Sequence, residues 1–535
     1  MRTGAGGREA RRGPRRPAAR RETMAAAEAR TFGDTAAAGG PAREVVALGV
    51  VTALVFGALA TGSSRLALVG TAGIAAAVGL ALLVSIASAR TADVLFAGLA
   101  CLVAVPVDKY FGYQAHVGGW PGIRVSAADL LLLLLAPLAL LSRVLDRRRS
   151  GLPSLLVAIV ACAVVQYGVS LLGSTRTALS LYEIASTLHA LAVAWVVAVL
   201  FRRRHVGAIV GALALLVWLH TGFALAQVAT GRPLGAGIFG GRDEILNESL
   251  TTGAAFLRPS GLFPHPIVYA DFLFLTLPVI AAGAASLGRA WQRWLLALTV
   301  LAGAGGLALT LSRGAWLAAL VAGATFVALG VRRRLVDRAT LRRIGAAAAV
   351  AGIALAVALG PRVYDRLTES QAGNLDVRFD LNWIALRMVA DRPLAGQGLN
   401  TFVEVMERFD PKDVMAYFPA PAHNLYLLEA AEAGAPALLL LLATFGFLLT
   451  AGVRGTRRIA DPALAWLAIA VVSGVAGLAV SQLADFSLRL EPLRTTAWFL
   501  IGVLFGALNV GSAQPAVRSP AEVSPPAGEP VGASS

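Results

Sequence analysis

Residues 463–480 read ALAWLAIAVVSGVAGLAV, eighteen positions without a charge. A helix rises about 1.5 Å per residue, so this run extends about 27 Å, close to the hydrocarbon thickness of a bilayer. Comparable blocks stand at 44–62, 66–89, 92–107, 125–142, 153–173, 180–201, 206–229, 266–287, 292–311, 313–330, 344–360, 434–453 and 496–510. A chain crossing lipid must satisfy its own backbone hydrogen bonds, which excludes open sheets there. Hydrophobic residues make up 57% of the 535 and charged residues 15%, with a mean hydropathy of +0.70. A soluble domain would carry nearer a quarter charged residues. The chain is predicted to be all-α: a polytopic transmembrane helix bundle of about 12–14 spans, with one large extracytoplasmic loop containing short amphipathic helices.

The net charge is +16. The arginines that make it sit in short loops and near the N-terminus, so they read as topology signals and not as a nucleic-acid surface. Clusters at Arg143/Arg147/Arg148/Arg149, Arg202/Arg203/Arg204, Arg289/Arg293, Arg332/Arg333/Arg334 with Arg342/Arg343, and Arg454/Arg457/Arg458 fall in alternate loops. The positive-inside rule makes those loops cytoplasmic together with both termini, and places 108–124, 230–265, 361–433 and 481–495 outside. The predicted divisions are a disordered basic tail at 1–43, with Met24 a second candidate start, a membrane domain at 44–510 and a disordered tail at 511–535. Cys101 and Cys162 both fall in apolar spans and read as small core residues.

The long outer interval 361–433 is acidic, and His423 stands at its end. An imidazole there can take a proton from a hydroxyl, although a lone loop histidine is more often an ordinary polar contact. No second His or Cys lies near it at ligand spacing, so no metal is expected. Glu429 and Glu432 follow one to two turns later and either orient the imidazole or are solvated. Val377, Leu381, Ile384 and Met388 recur at helical spacing, with Phe379, Trp383 and Leu386 read as widening the same face, which predicts an amphipathic helix at the membrane surface. The stretch RPLAGQGLN at 392–400 then ends that helix. Arg313 opens a span on the side where arginine is disfavoured. It reads either as a cation aimed at phosphate or as a snorkelling side chain. Arg378 and Arg258 read as further outer-face cations or as surface ion pairs, Arg378 with Asp376 or Asp380. Trp120, Tyr417 and Phe418 read as interface anchors.

Several segments together resemble one family, the O-antigen ligase and polymerase superfamily of bacterial polysaccharide assembly. RGAWL at 313–317 fits its Arg-x-x-x-Leu motif. His423 and Asn424, nine residues, then Gly434 fit its His-[Asn/Ser/Gln]-x9-Gly motif. The segment 378–400, with Trp383, Arg392, Pro393, Gly396 and Gly398, is similar to the stretch linking those motifs, and Arg258 with GLFPHP at 261–266 to the pattern preceding them. The resemblance covers about 250–450. Departures are Ala437 where Gly, Thr or Tyr is frequent, and His265 and Ile267 where Asn is common.

The resemblance implies a membrane glycosyltransferase with no cofactor or metal requirement. Its donor would be a glycan on undecaprenyl diphosphate at the outer leaflet, and its acceptor a hydroxyl of another glycan, of a lipid-linked core or of a protein. His423 would serve the acceptor hydroxyl as the catalytic base. Arg313, Arg378 and Arg258 would hold the diphosphate, and Asn424 and Glu432 would orient or support. Polymerases and ligases share these motifs. The alternative is a flippase or transporter of lipid-linked saccharides, disfavoured because the spans look nearly free of ionisable residues.

Overall fold

The computed structural model describes residues 89–146, 151–232, 234, 257–336, 339, 342 and 372–513. These all belong to one compact unit, Leu80–Ser535. The predicted blocks 44–62, 66–89 and 344–360 lie outside the described residues, apart from Ala89. The fold is the predicted all-α bundle, and among the described residues ten helices are long and apolar enough to cross a membrane.

In chain order the elements are α1 (Ala89–Leu102), β1 (Asp108–Phe111), β2 (Ile123–Ser126), α2 (Ala127–Leu145), α3 (Ser154–Ser170), α4 (Thr177–Leu200) and α5 (His205–Thr230). There follow α6 (Pro266–Ser286), α7 (Ala290–Leu309), α8 (Arg313–Arg332), α9 (Ala372–Asp391), α10 (Leu425–Thr456), α11 (Pro462–Ser481) and α12 (Leu493–Ala513). Short helical turns at Phe402–Val405 and Val414–Tyr417 lie between α9 and α10. Local chemistry sets many starts. Asp461 caps α11 by accepting from the N–H groups of Ala463 and Leu464, with Pro462 in the first turn, where its missing N–H costs nothing. Ser126 and Asp129 form a reciprocal capping box on α2.

The most buried helices, α6 and α11, pack on each other. Then α8 lies along α11, α7 along α6, α12 along α4 and α3 along α10. Helices that are apolar all round, such as α6 and α11, need a protein environment on every side. By contrast α3, α7 and α8 expose much of their apolar surface, as lipid-facing helices do.

Several expectations are corrected. The block 92–107 ends as helix at Leu102, and the chain then forms the antiparallel β1–β2 hairpin. The block 434–453 begins earlier, at Leu425. On α9, Leu381, Ile384 and Met388 are buried, but Phe379, Trp383 and Leu386 are exposed. At 100° per residue these two stripes lie on opposite sides of the helix, so the second does not widen the first. Trp120 is buried and is no interface anchor, while Cys162 is exposed on α3 and is no core residue. The spans also hold ionisable groups. Glu183 on α4 pairs with Arg494 at 2.6 Å, and Asp271 on α6 accepts from the Ser481 and Ser487 hydroxyls. Each is partnered, as buried charge must be. The spans therefore do not exclude a transporter by being empty of ionisable groups.

Candidate active site

Asn424 caps α10, its side chain accepting from the Leu427 N–H at 3.1 Å. Its role is thus to start the helix and fix the residue before it, His423. The free N–H of Leu425 donates to two carbonyls at once, those of Gln482 and Asp485, each at 3.0 Å. This ties the head of α10 to the loop between α11 and α12. His423 Nδ1 consequently lies 3.5 Å from Asp485 Oδ2, long for a hydrogen bond but close enough for charge to act. The other carboxylate oxygen accepts from the Phe486 N–H at 2.7 Å. Phe486 meets the imidazole edge-on, with ring centroids 5.4 Å apart.

Asp271 closes the base of the same loop. Its Oδ2 accepts from Ser481 at 2.7 Å and from Ser487, so one buried oxygen bridges the two ends of the segment that carries Asp485. Gln482 adds a bond from Leu488 N–H to its Oε1 at 3.0 Å.

Burial pushes the Asp485 carboxyl up, but His423, then Arg378 and His265, outweigh it and hold it at about 2. It is a carboxylate at neutral pH. His265 caps α6 through Nδ1, which accepts from Ile267 N–H at 3.2 Å. Burial, reinforced by Arg258, pushes its pKa down to about 3, so this imidazole stays neutral.

Three arginines approach from other elements. Arg378, on α9, donates from Nη1 to the Ala484 carbonyl at 3.3 Å, while Asp380 pairs with Lys412 instead. Arg258 donates from Nε to the Thr310 carbonyl at 2.8 Å, at the turn between α7 and α8. That turn passes through Leu311 at φ 50° and leads directly to Arg313, the first residue of α8. Gly314 packs on the loop, for a Cβ there would stand 3.3 Å from that of Ala484. The Arg313 side chain is exposed, and among the described residues it has no hydrogen bond or ion pair. The elements bearing His423, Arg258, Arg313 and Arg378 thus all meet the 482–486 loop or the turn beside it.

Glu432 sits elsewhere. Its oxygens accept from the N–H groups of Asn400 at 2.8 Å and Phe402 at 2.9 Å, and from Arg489. Glu429 accepts from Arg489 at 2.7 Å and from the Tyr167 hydroxyl. Neither carboxylate is solvated, and neither orients His423. Burial works against the charge on Arg489, yet Glu432, Glu429 and Glu183 raise its pKa overall. Together they lock the 398–402 segment onto α10.

Gly434 explains the far end of the motif. Its φ of 83° and ψ of 167° break α10, and Pro436 follows with no N–H to give. The Ala435 N–H turns away to the Pro393 carbonyl at 2.8 Å. The carbonyls thus freed are taken by the incoming loop: Ala431 O by Gln397 N–H at 3.0 Å, and Glu432 O by Gly398 N–H at 2.9 Å. The fit leaves no room for side chains. A Cβ on Gly434 would stand 2.3 Å from Leu394 O, and one on Gly396 2.3 Å from Glu432 O.

Asp485 and Asp271 were missed in the sequence. Asp485 stands just past an apolar span and belongs to none of the motifs, and its relation to His423 arises only when the head of α10 meets the loop that follows α11.

Among the described residues no group of three or more His, Cys, Asp or Glu side chains is placed to hold a metal. Comparison with curated proteins finds no match. Residues 297–442 match the family model described as O-antigen ligase, a segment that contains Arg313, Arg378, His423, Asn424 and Glu432 and excludes Arg258 and Asp485. That match, the motifs and the polytopic helical fold support a place in the O-antigen ligase/polymerase superfamily of membrane proteins.

Proposed function

We propose that this protein is a glycosyltransferase that moves a glycan from undecaprenyl diphosphate to an acceptor hydroxyl at the outer leaflet, as a polymerase or a ligase. The observation that carries the reading is the pairing of His423 with Asp485 on a loop that Arg378 and the head of α8 also reach. The acceptor is another glycan or a lipid-linked core. The carboxylate faces Nδ1 at 3.5 Å and favours a positive imidazole, so Nε2 takes the acceptor proton as the hydroxyl oxygen attacks the anomeric carbon. The bond from that carbon to the diphosphate oxygen breaks, and undecaprenyl diphosphate departs. Arg313, Arg378 and Arg258 offset the charge that grows on the leaving oxygens, a role guanidinium forks fill without a metal. A single displacement inverts the anomeric centre, so a product that retains the donor configuration would refute it.

Deletion of the gene followed by sizing of lipid-linked glycans tests the assignment. A polymerase leaves single repeat units and a ligase leaves full-length lipid-linked chains; an unchanged glycan profile removes the proposal. A flippase would instead trap its saccharide on the cytoplasmic leaflet. The reading also sets 372–424 and 482–492 outside the cell with both termini inside, and a reporter within 372–424 that reads as cytoplasmic would invert it.

A further inference from the structure

On the flank of α9 away from Arg378 lies a cleft of about 300 Å3. Asp380 and Arg387 follow Arg378 by two and nine residues, which places them about 180–200° around the helix from it. Ile384, almost fully buried, forms the floor, and the indole of Trp383, 62% exposed, forms a wall. The rim carries Asp380 with Lys412 at 2.7 Å, Arg387 donating to Phe409 O at 3.2 Å, and Asp410. The rim is held in shape: Asp410 accepts from Lys412 N–H at 3.1 Å and Met415 N–H at 2.8 Å, fixing the turn that faces α9.

Two carboxylates and two cations leave this rim without net charge, so it selects neither a diphosphate nor an anionic headgroup. It nonetheless sets four ionised side chains around an accessible indole face. A pyranose has those complementary parts: a C–H face that stacks on an aromatic ring, and hydroxyls that both give and accept hydrogen bonds. A lipid-embedded tryptophan would not be ringed by four ionised groups, whose burial in hydrocarbon is costly.

We propose that the Trp383 cleft is a second carbohydrate-binding subsite, which holds a neutral sugar unit of the glycan chain away from the reacting end. The proposal rests on the transferase reading and deepens it. A long glycan held at two places stays bound between additions, so the cleft sets chain length and acceptor affinity without touching the reacting atoms.

The test uses full-length protein in lipid nanodiscs and, as probe, the glycan released by mild acid from the lipid extract of cells lacking the gene. Binding is titrated by calorimetry for the wild type, Trp383→Ala, Trp383→Tyr and His423→Ala. The proposal expects Trp383→Ala to bind at least tenfold more weakly and Trp383→Tyr to recover most of the loss. In transfer assays KM for the glycan acceptor should rise with kcat held, and products should shorten. Equal affinity of Trp383→Ala and wild type overturns it, as does a wild type that binds no glycan. Quenching by brominated lipid that is lost in Trp383→Phe would place the indole in the bilayer and also overturn it. His423→Ala should keep binding and lose transfer; a His423→Ala variant that still transfers sinks the role of His423, a wild type that transfers nothing sinks the transferase reading, and in either case the binding result still decides the cleft.

Discussion

Gly434→Ala isolates the fit between α10 and the 392–400 loop. A Cβ at this position would stand 2.3 Å from Leu394 O, 2.6 Å from Leu394 C and 3.1 Å from Pro393 O. All three are backbone atoms, so no neighbouring rotamer can move aside. The dihedrals, φ 83° and ψ 167°, lie in a region that costs a side-chain-bearing residue of order 1–3 kcal/mol. Overpacking adds about 1–3 kcal/mol, so the total is roughly 2–6 kcal/mol. Two responses are open: global destabilisation, or withdrawal of the loop with loss of the bonds from Ala435, Gln397 and Gly398. Either should reduce activity, because the same loop carries Asn400 and Phe402 onto Glu432. Thermal unfolding of detergent-solubilised protein, read by size-exclusion recovery, measures the first, and glycan length in complemented cells measures the second. Leu394→Ala is the control, since that side chain is 71% exposed and the clash does not involve it. A Gly434→Ala variant with wild-type melting and wild-type glycan would refute the reasoning.

Three further outcomes follow from the site. His265 is held neutral to about 3 against an ordinary value near 6.5, so below that value the unfolded chain binds a proton that the folded one does not. Stability should therefore fall as pH drops from about 6.5 toward 3, and His265→Asn, which retains a capping side chain, should flatten that part of the melting-temperature profile. Asp485→Asn removes the charge facing Nδ1 while keeping its shape; kcat should drop at least tenfold with KM little changed, and an unaltered kcat would show that the carboxylate does not serve the imidazole. Arg313→Lys keeps the charge and loses the bidentate fork, so it should impair transfer well beyond what charge alone explains; full turnover would argue against a phosphate clamp.

Much of the fold was readable because lipid imposes one rule on every span. The starts of α6 at Pro266, α8 at Arg313 and α11 at Pro462 lie within a residue of the predicted ones. The reading failed where partners are distant. The exposed stripe of Phe379, Trp383 and Leu386 is apolar, and apolarity alone does not say which side of α9 meets the core. Neither of the two roles open to Glu429 and Glu432, orienting the imidazole or solvation, applies, because Arg489, their partner, lies near the far end of the chain. The motif spacing from His423 to Gly434 was visible, but its cause was not: the glycine is a door for the 392–400 loop, and its backbone donors come from residues more than thirty positions upstream. Asp485 was hidden for the same reason.

The most direct measurement is turnover by purified protein in nanodiscs supplied with its lipid-linked glycan and an acceptor, comparing the wild type with His423→Ala. The account predicts that the wild type releases undecaprenyl diphosphate in step with an extended or transferred glycan, and that the variant binds the same donor yet releases none. Equal release by both proteins would contradict it.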